Sequence, residues 1–143
     1  MTSISSPGRT VDVDGITTAG SPYPSATRVG DTIYVSGQVS FTDDGRIHGE
    51  GDVSAQTRHS VARLARVLAV YGATLDDVVS CTVYLKDASL AESFNAAWSA
   101  AFGKHRPSRA TVVAQLLDQR LLVEVQAIAR LQRSRSRDAE GQK

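Results

Sequence analysis

One cysteine, Cys81, is all the thiol in 143 residues. No disulfide can close within the chain, and the composition suits a reducing compartment. Charge of one sign is scarce as well. Sixteen Lys and Arg stand against 15 Asp and Glu, a formal net charge of +1, which gives the whole chain no electrostatic footprint for nucleic acid. No apolar run approaches the ~20 residues that span a bilayer. The opening "MTSISSPGRTVDVDG" has neither a basic leader nor an apolar core of signal-peptide length, so the expected setting is the cytoplasm, away from membranes. His48, His59 and His105 are scattered without metal-ligand spacing, and no zinc site is expected. Internal repeats are missing too.

What the chain does have is patterned apolar sequence for one domain with a sizeable core. Residues 1–20 read as an extended segment with at most a short strand at "RTVDV", residues 21–130 as the domain, and residues 131–143, "LQRSRSRDAEGQK", as a disordered tail. "SATRVGDTIYVSGQ" predicts a hairpin turning at Gly30-Asp31. "DVSAQTRHSVARLARVLAVYG" predicts a helix capped by Asp52, striped by Val61, Leu64, Leu68 and Tyr71, and stopped at Gly72. "VVSCTVYL" is a β-branched strand. A second helix starts near Ser89, carries Leu90, Phe94, Trp98 and Ala101 on one face, and ends at Gly103. Two further strands follow. The order ββ-α-β-α-ββ describes an α/β sandwich: one sheet of about six strands with two helices on one face. Because "VVSCTVYL" and "LLVEVQAIA" read as apolar on both faces, the other face is expected to be covered by a second copy of the chain.

Two charges stand out in "HRPSRATVVAQLLDQRLLVEVQAIAR". Arg109 opens the first apolar run, and Glu124 lies between Val123 and Val125 in the second. A carboxylate buried in a sheet is costly unless paired or hydrogen-bonded. If residues 117–120 form a four-residue hairpin loop, Thr111 faces Gln126 and Val113 faces Glu124. Arg109, Thr111, Glu124 and Gln126 then share one face of one ribbon. That spacing fits a structural ion pair. It also fits a polar pocket in which the guanidinium fork of Arg109 grips a small carboxylate and Glu124 handles the proton of a water. Cys81, alternating with apolar residues, reads as core rather than nucleophile.

The segments "SPYPSATRVGDTIYVSGQVS", "AQTRHSVARLARVLAVYGATLDDVVSCTVYLKD", "FNAAWSAAF" and "RPSRATVV...VEVQAIA", in this order and spacing, resemble the Rid (YjgF) family of imine and enamine deaminases. The resemblance implies a chorismate-mutase-like fold assembled as a homotrimer with clefts between subunits. It also implies hydrolysis of 2-imino acids or enamines to 2-keto acids and ammonia, without metal or cofactor. By the same likeness Arg109 would anchor the substrate carboxylate and Glu124 assist water and proton transfer. Tyr23, Gly37, Asn95 and Thr111 would line the pocket. The sequence departs from the family where Pro24 and Ser25 replace Ser and Gln, Thr111 replaces a frequent Cys, and Asp118 replaces Pro. Alternatives compatible with the sequence are a binding protein for small carboxylates, a deaminase dedicated to one enamine such as an aminomuconate, and an RNA-directed ribonuclease or translation inhibitor. Only the basic residues Arg130, Arg133, Arg135 and Arg137 favour the last.

Overall fold

The structure, a computed structural model, describes residues 8–132; the expected tail beyond them lies outside the described residues. Its strands are β1 (Thr10–Val11), β2 (Ala26–Val29), β3 (Thr32–Val39), β4 (Val78–Leu85), β5 (Ser108–Val113) and β6 (Val123–Arg130), with helices α1 (Val53–Ala69) and α2 (Ala91–Phe102). They form one mixed six-stranded sheet in the order β1-β2-β3-β6-β4-β5. Every pairing is antiparallel except β4 with β5. This is the anticipated α/β sandwich of one sheet and two helices.

Local chemistry accounts for the elements. β2 and β3 turn through Gly30-Asp31, with Val29 paired to Thr32 and Gly30 at φ 59°, a left-handed conformation that favours glycine. The Asp52 carboxylate accepts the Ala55 N–H at 3.0 Å and caps α1. Val61, Leu64, Leu68 and Tyr71 are all buried, as their spacing predicts. Phe94, Trp98 and Phe102 of α2 are buried in turn, and their rings meet in tilted contacts along the helix at centroid separations of 5.5 and 4.6 Å. α1 lies across β3 and β6, with α2 packed beside it. Among the described residues no helix is long and apolar enough to cross a membrane.

Both helices cover the face made by Ile33, Val35, Cys81, Val83, Leu85, Val123, Val125, Ala127 and Ala129, all buried. The opposite face is open, and it corrects the expectation of strands apolar on both sides. β4 and β6 alternate: Ser80, Thr82, Tyr84, Glu124 and Gln126 point to the open side with Tyr34 and Ile128. The face is mixed in character, with exposed Tyr34, Ile128 and Val112 among hydroxyls and amides.

A second correction concerns the last two strands. They do not form a hairpin. β4, α2 and β5 make a β-α-β unit that lays β5 parallel to β4 at the sheet edge. Residues 114–122, rather than a four-residue loop, then carry the chain over the end of β4 so that β6 enters between β3 and β4. The crossing is pinned by Gln56, whose amide is fully buried. Its nitrogen donates to Gly49 O at 3.2 Å and Arg120 O at 3.0 Å, and its oxygen accepts the Leu122 N–H at 2.8 Å. Asp118 stiffens the same stretch, accepting from the Arg120 backbone N–H and pairing with its guanidinium at 2.8 Å. That contact holds the Asp118 carboxyl down at about 2.

Gln56→Leu keeps the volume but leaves the Arg120 carbonyl and the Leu122 N–H without these partners. It is expected to cost about 2–4 kcal/mol, read as a lower urea midpoint at fixed protein concentration; an unchanged midpoint would show that the crossing holds without the amide.

Candidate functional site

Residues paired across neighbouring strands point to the same side of a sheet. Cys81 of β4 pairs with Arg109 on one flank and Ala127 on the other, and both Cys81 and Ala127 are buried beneath the helices. Arg109 therefore points to the helical side, as does Thr111 opposite Val83. Glu124 pairs with Tyr84, and Gln126 with Thr82, on the open side. The four residues expected on one ribbon face are thus divided two and two. Within one chain Arg109 and Glu124 lie on opposite faces of the sheet, with β4 between their strands, about 10 Å apart on strand spacing alone. β5 and β6, adjacent in the chain, are not neighbours in the sheet.

Arg109 is set against α2. Its guanidinium carbon lies 4.9 Å from the centroid of Phe94 and 5.2 Å from that of Trp98, and one terminal nitrogen donates to Asn95 Oδ1 at 2.7 Å. Two ring faces attract the cation, and a single amide oxygen fixes the rotation of its plane. No carboxylate pairs with it among the described residues, so most of its N–H donors remain for a ligand. Burial pushes its pKa down, from a range so high that the charge is kept. The cleft over which it stands has a volume of about 440 Å³, with Trp98, Ser99, His105 and Arg106 on its walls. Beneath it, burial pushes the Cys81 thiol up to about 12, a protonated core thiol rather than a nucleophile.

The other predicted residues gather elsewhere. Tyr23, 61% exposed, shares a cleft of about 140 Å³ with Ser36, Gly37 and Gln38. Gly37 sits where β3 gains one residue against β6, between the pairs Val35–Ala127 and Gln38–Val125, a bulge of the kind that re-aims a strand beside a site. Its lack of a side chain leaves room for the Glu124 carboxylate: a Cβ at Gly37 would stand 2.9 Å from Glu124 Cδ. The Glu124 carboxylate makes no hydrogen bond or ion pair with another described residue, and burial alone pushes its pKa above the usual glutamate range. Thr111 is exposed on β5. The structure thus brings Asn95 to Arg109, Gly37 to Glu124 and Tyr23 into a cleft with Gly37, but does not join Arg109 and Glu124 within one chain.

Three contributors escaped the sequence reading. Phe94 and Trp98 were read only as a core stripe, yet they form the bed of Arg109; their i, i+4 spacing around Asn95 was the available signal. Arg63 of α1, 5% exposed, donates to Phe41 O at 2.7 Å, Gln38 Oε1 at 3.3 Å and Ile16 O at 3.4 Å. It thereby fastens the residue after Gly37, and nothing in helical periodicity marks such a buried arginine. The hollow of about 570 Å³ between residues 14–19 and 41–45 also touches Arg63. It lies apart from Arg109, and its Asp43 and Asp44 are paired with Arg66 and Arg46. Among the described residues no three His, Cys, Asp or Glu side chains gather as metal ligands.

Residues 16–131 match the family model described as Endoribonuclease L-PSP. A RutC family protein of Pyrococcus abyssi is 36% identical over 108 residues, covering 76% of this chain and 85% of that protein. The 3-aminoacrylate deaminase RutC of Acinetobacter baylyi is 30% identical over 76% of this chain and 86% of its own. The crystal structure of RidA from an Antarctic Psychrobacter superposes with a TM-score of 0.78 at 29% identity, covering 87% of this chain and 100% of that one.

Gly37→Ala isolates the open-side group. Gly37 does not have a positive φ, and the obstacle to a methyl is the far end of a flexible side chain. The fold is expected to survive, with Glu124 displaced toward water and its titration, followed by carboxyl ¹³C NMR, moving down toward the ordinary range. An unchanged titration would show that Glu124 does not depend on the space above Gly37.

Proposed function

The chain belongs to the endoribonuclease L-PSP family, the YjgF/Rid proteins, and on that premise we propose that it hydrolyses reactive 2-imino acids and their enamine tautomers to 2-keto acids and ammonia. The observation that carries this reading is Arg109 itself: a guanidinium partly withdrawn from water on two aromatic faces, oriented by Asn95, and unpaired with any carboxylate among the described residues. Such a fork suits a ligand carboxylate.

An imine carbon is already electrophilic, so the reaction needs an anchor, a placed water and a proton carrier. With the substrate carboxylate on Arg109, water oxygen bonds to the C=N carbon and the π pair passes to nitrogen, which takes a proton. The carbinolamine then loses ammonia as its C–N bond breaks and the hydroxyl proton departs, leaving the ketone. Imine and water balance keto acid and ammonia. Glu124 would move these protons; its desolvated carboxyl holds a proton more readily than an exposed one. Tyr23, Gly37 and Thr111 would line the space around the substrate.

Arg109 and Glu124 point to opposite faces of one sheet, so this chemistry requires two copies of the chain. We assign a homotrimer, as the family resemblance implies, in which the Arg109–Asn95 group of one subunit meets the Tyr23–Gly37–Glu124 group of the next. The uncovered sheet face with Tyr34, Ile128 and Val112 supports burial against other copies.

The test is a pair of variants assayed on 2-iminobutanoate or 2-aminoacrylate generated in situ, with circular dichroism as folding control. Arg109→Lys keeps the charge but loses the fork, and should cost about 2–4 kcal/mol, roughly a 30- to 1,000-fold fall in kcat/KM. Glu124→Gln should lower kcat more than it raises KM. A folded Arg109→Lys protein matching wild type on an imine that wild type hydrolyses would overturn the proposal.

A further inference from the structure

The Arg109 cleft contains more positive charge than one carboxylate requires. Arg106 lies on its wall three residues before Arg109. It is exposed, and among the described residues it makes no hydrogen bond or ion pair. Among the described residues no Asp or Glu lines this cleft. Two arginines therefore line one hollow without a described carboxylate between them, an arrangement that repels itself and attracts anions. The backbone beneath Arg106 is constrained as well, because the residue before a proline is held to extended conformations and Pro107 follows it in a trans linkage. His105 is not a competing partner for a ligand at Nε2, since that nitrogen is bonded to Val78 O at 2.7 Å.

We propose that Arg106 is a specificity-determining residue that makes the cleft selective for dianions: 2-imino or enamine acids with a second carboxylate at the far end of the carbon chain. Arg109 holds the carboxylate next to the reacting carbon, and Arg106 receives the distal one. This rests on the reading of Arg109 as the substrate anchor and adds to it the class of substrate.

The test uses stable keto analogues that differ by one carboxylate, 2-oxobutanoate and 2-oxopentanedioate, titrated calorimetrically into the full-length protein. Wild type should bind the dianion about fivefold more tightly at low salt, as expected for one added ion pair at an exposed rim, and the preference should shrink as salt is raised. Arg106→Gln should bring the two affinities to within about twofold, weakening the dianion more than 2-oxobutanoate. Arg109→Lys should weaken both ligands. A dianion that binds no tighter than the monoanion, or a preference that survives Arg106→Gln, overturns the role of Arg106 and leaves the anchor intact. Failure of either ligand to bind, or binding indifferent to Arg109→Lys, overturns the anchor and the dianion selectivity with it.

Discussion

The parallel pairing of β5 with β4 governs where every charged group of the site can go. It fixes Arg109 opposite Cys81, on the side where α2 supplies two aromatic rings and an amide oxygen. It also forces the chain to cross the end of β4 before β6 begins, which places Glu124 opposite Tyr84 on the other side. Had the two strands formed a hairpin, the charges could have neutralised each other within one chain. Kept apart, each is only partly desolvated and neither is paired with the other. The chain then presents two candidate groups on opposite faces: a guanidinium unpaired among the described residues, and an acid whose burial favours its protonated form.

Each group is supported by residues with no chemical role of their own. Gln56 holds the crossing at Arg120 and Leu122, directly ahead of β6. Arg63 pins Gln38 and Phe41 on either side of the end of β3, where Gly37 makes room for Glu124. On the other face the row of Phe94, Trp98 and Phe102 belongs both to the core and to the bed of Arg109. Support of this kind makes a site precise, because a side chain held by packing and hydrogen bonds loses less freedom when a ligand binds.

Much of the fold was legible in the chain. The capping Asp52, the apolar stripe of α1, the Gly30 turn and the full extent of β4 follow from periodicity and turn chemistry, which are local. The candidate residues Arg109, Glu124, Tyr23 and Gly37 stand out through the resemblance of "PSR", "VEV", "PY" and "SGQ" to a known family. Their arrangement does not. Alternation tells which residues of a strand share a side, but not which strands are neighbours, and a one-strand insertion moved Glu124 away from Arg109 and across the sheet. The second face of β4 and β6 was misread for a related reason: Tyr84 and Ile128 score as apolar, whereas their neighbours Thr82 and Gln126 make that surface mixed. Arg63 gave no signal, since a buried arginine on a helix is recognised only once its carbonyl partners are in place.

The central claim is that a working site takes Arg109 from one copy and Glu124 from another, and complementation tests it most directly. Arg109→Ala and Glu124→Gln proteins, each inactive alone, would be co-expressed in equal amounts and purified as mixed assemblies through two different tags. If the site is shared between copies of a trimer, about a third of the interfaces in every mixed assembly join an intact Arg109 to an intact Glu124, and activity should return to roughly that fraction of wild type. Mixed assemblies that form but stay as inactive as either parent would contradict the shared site.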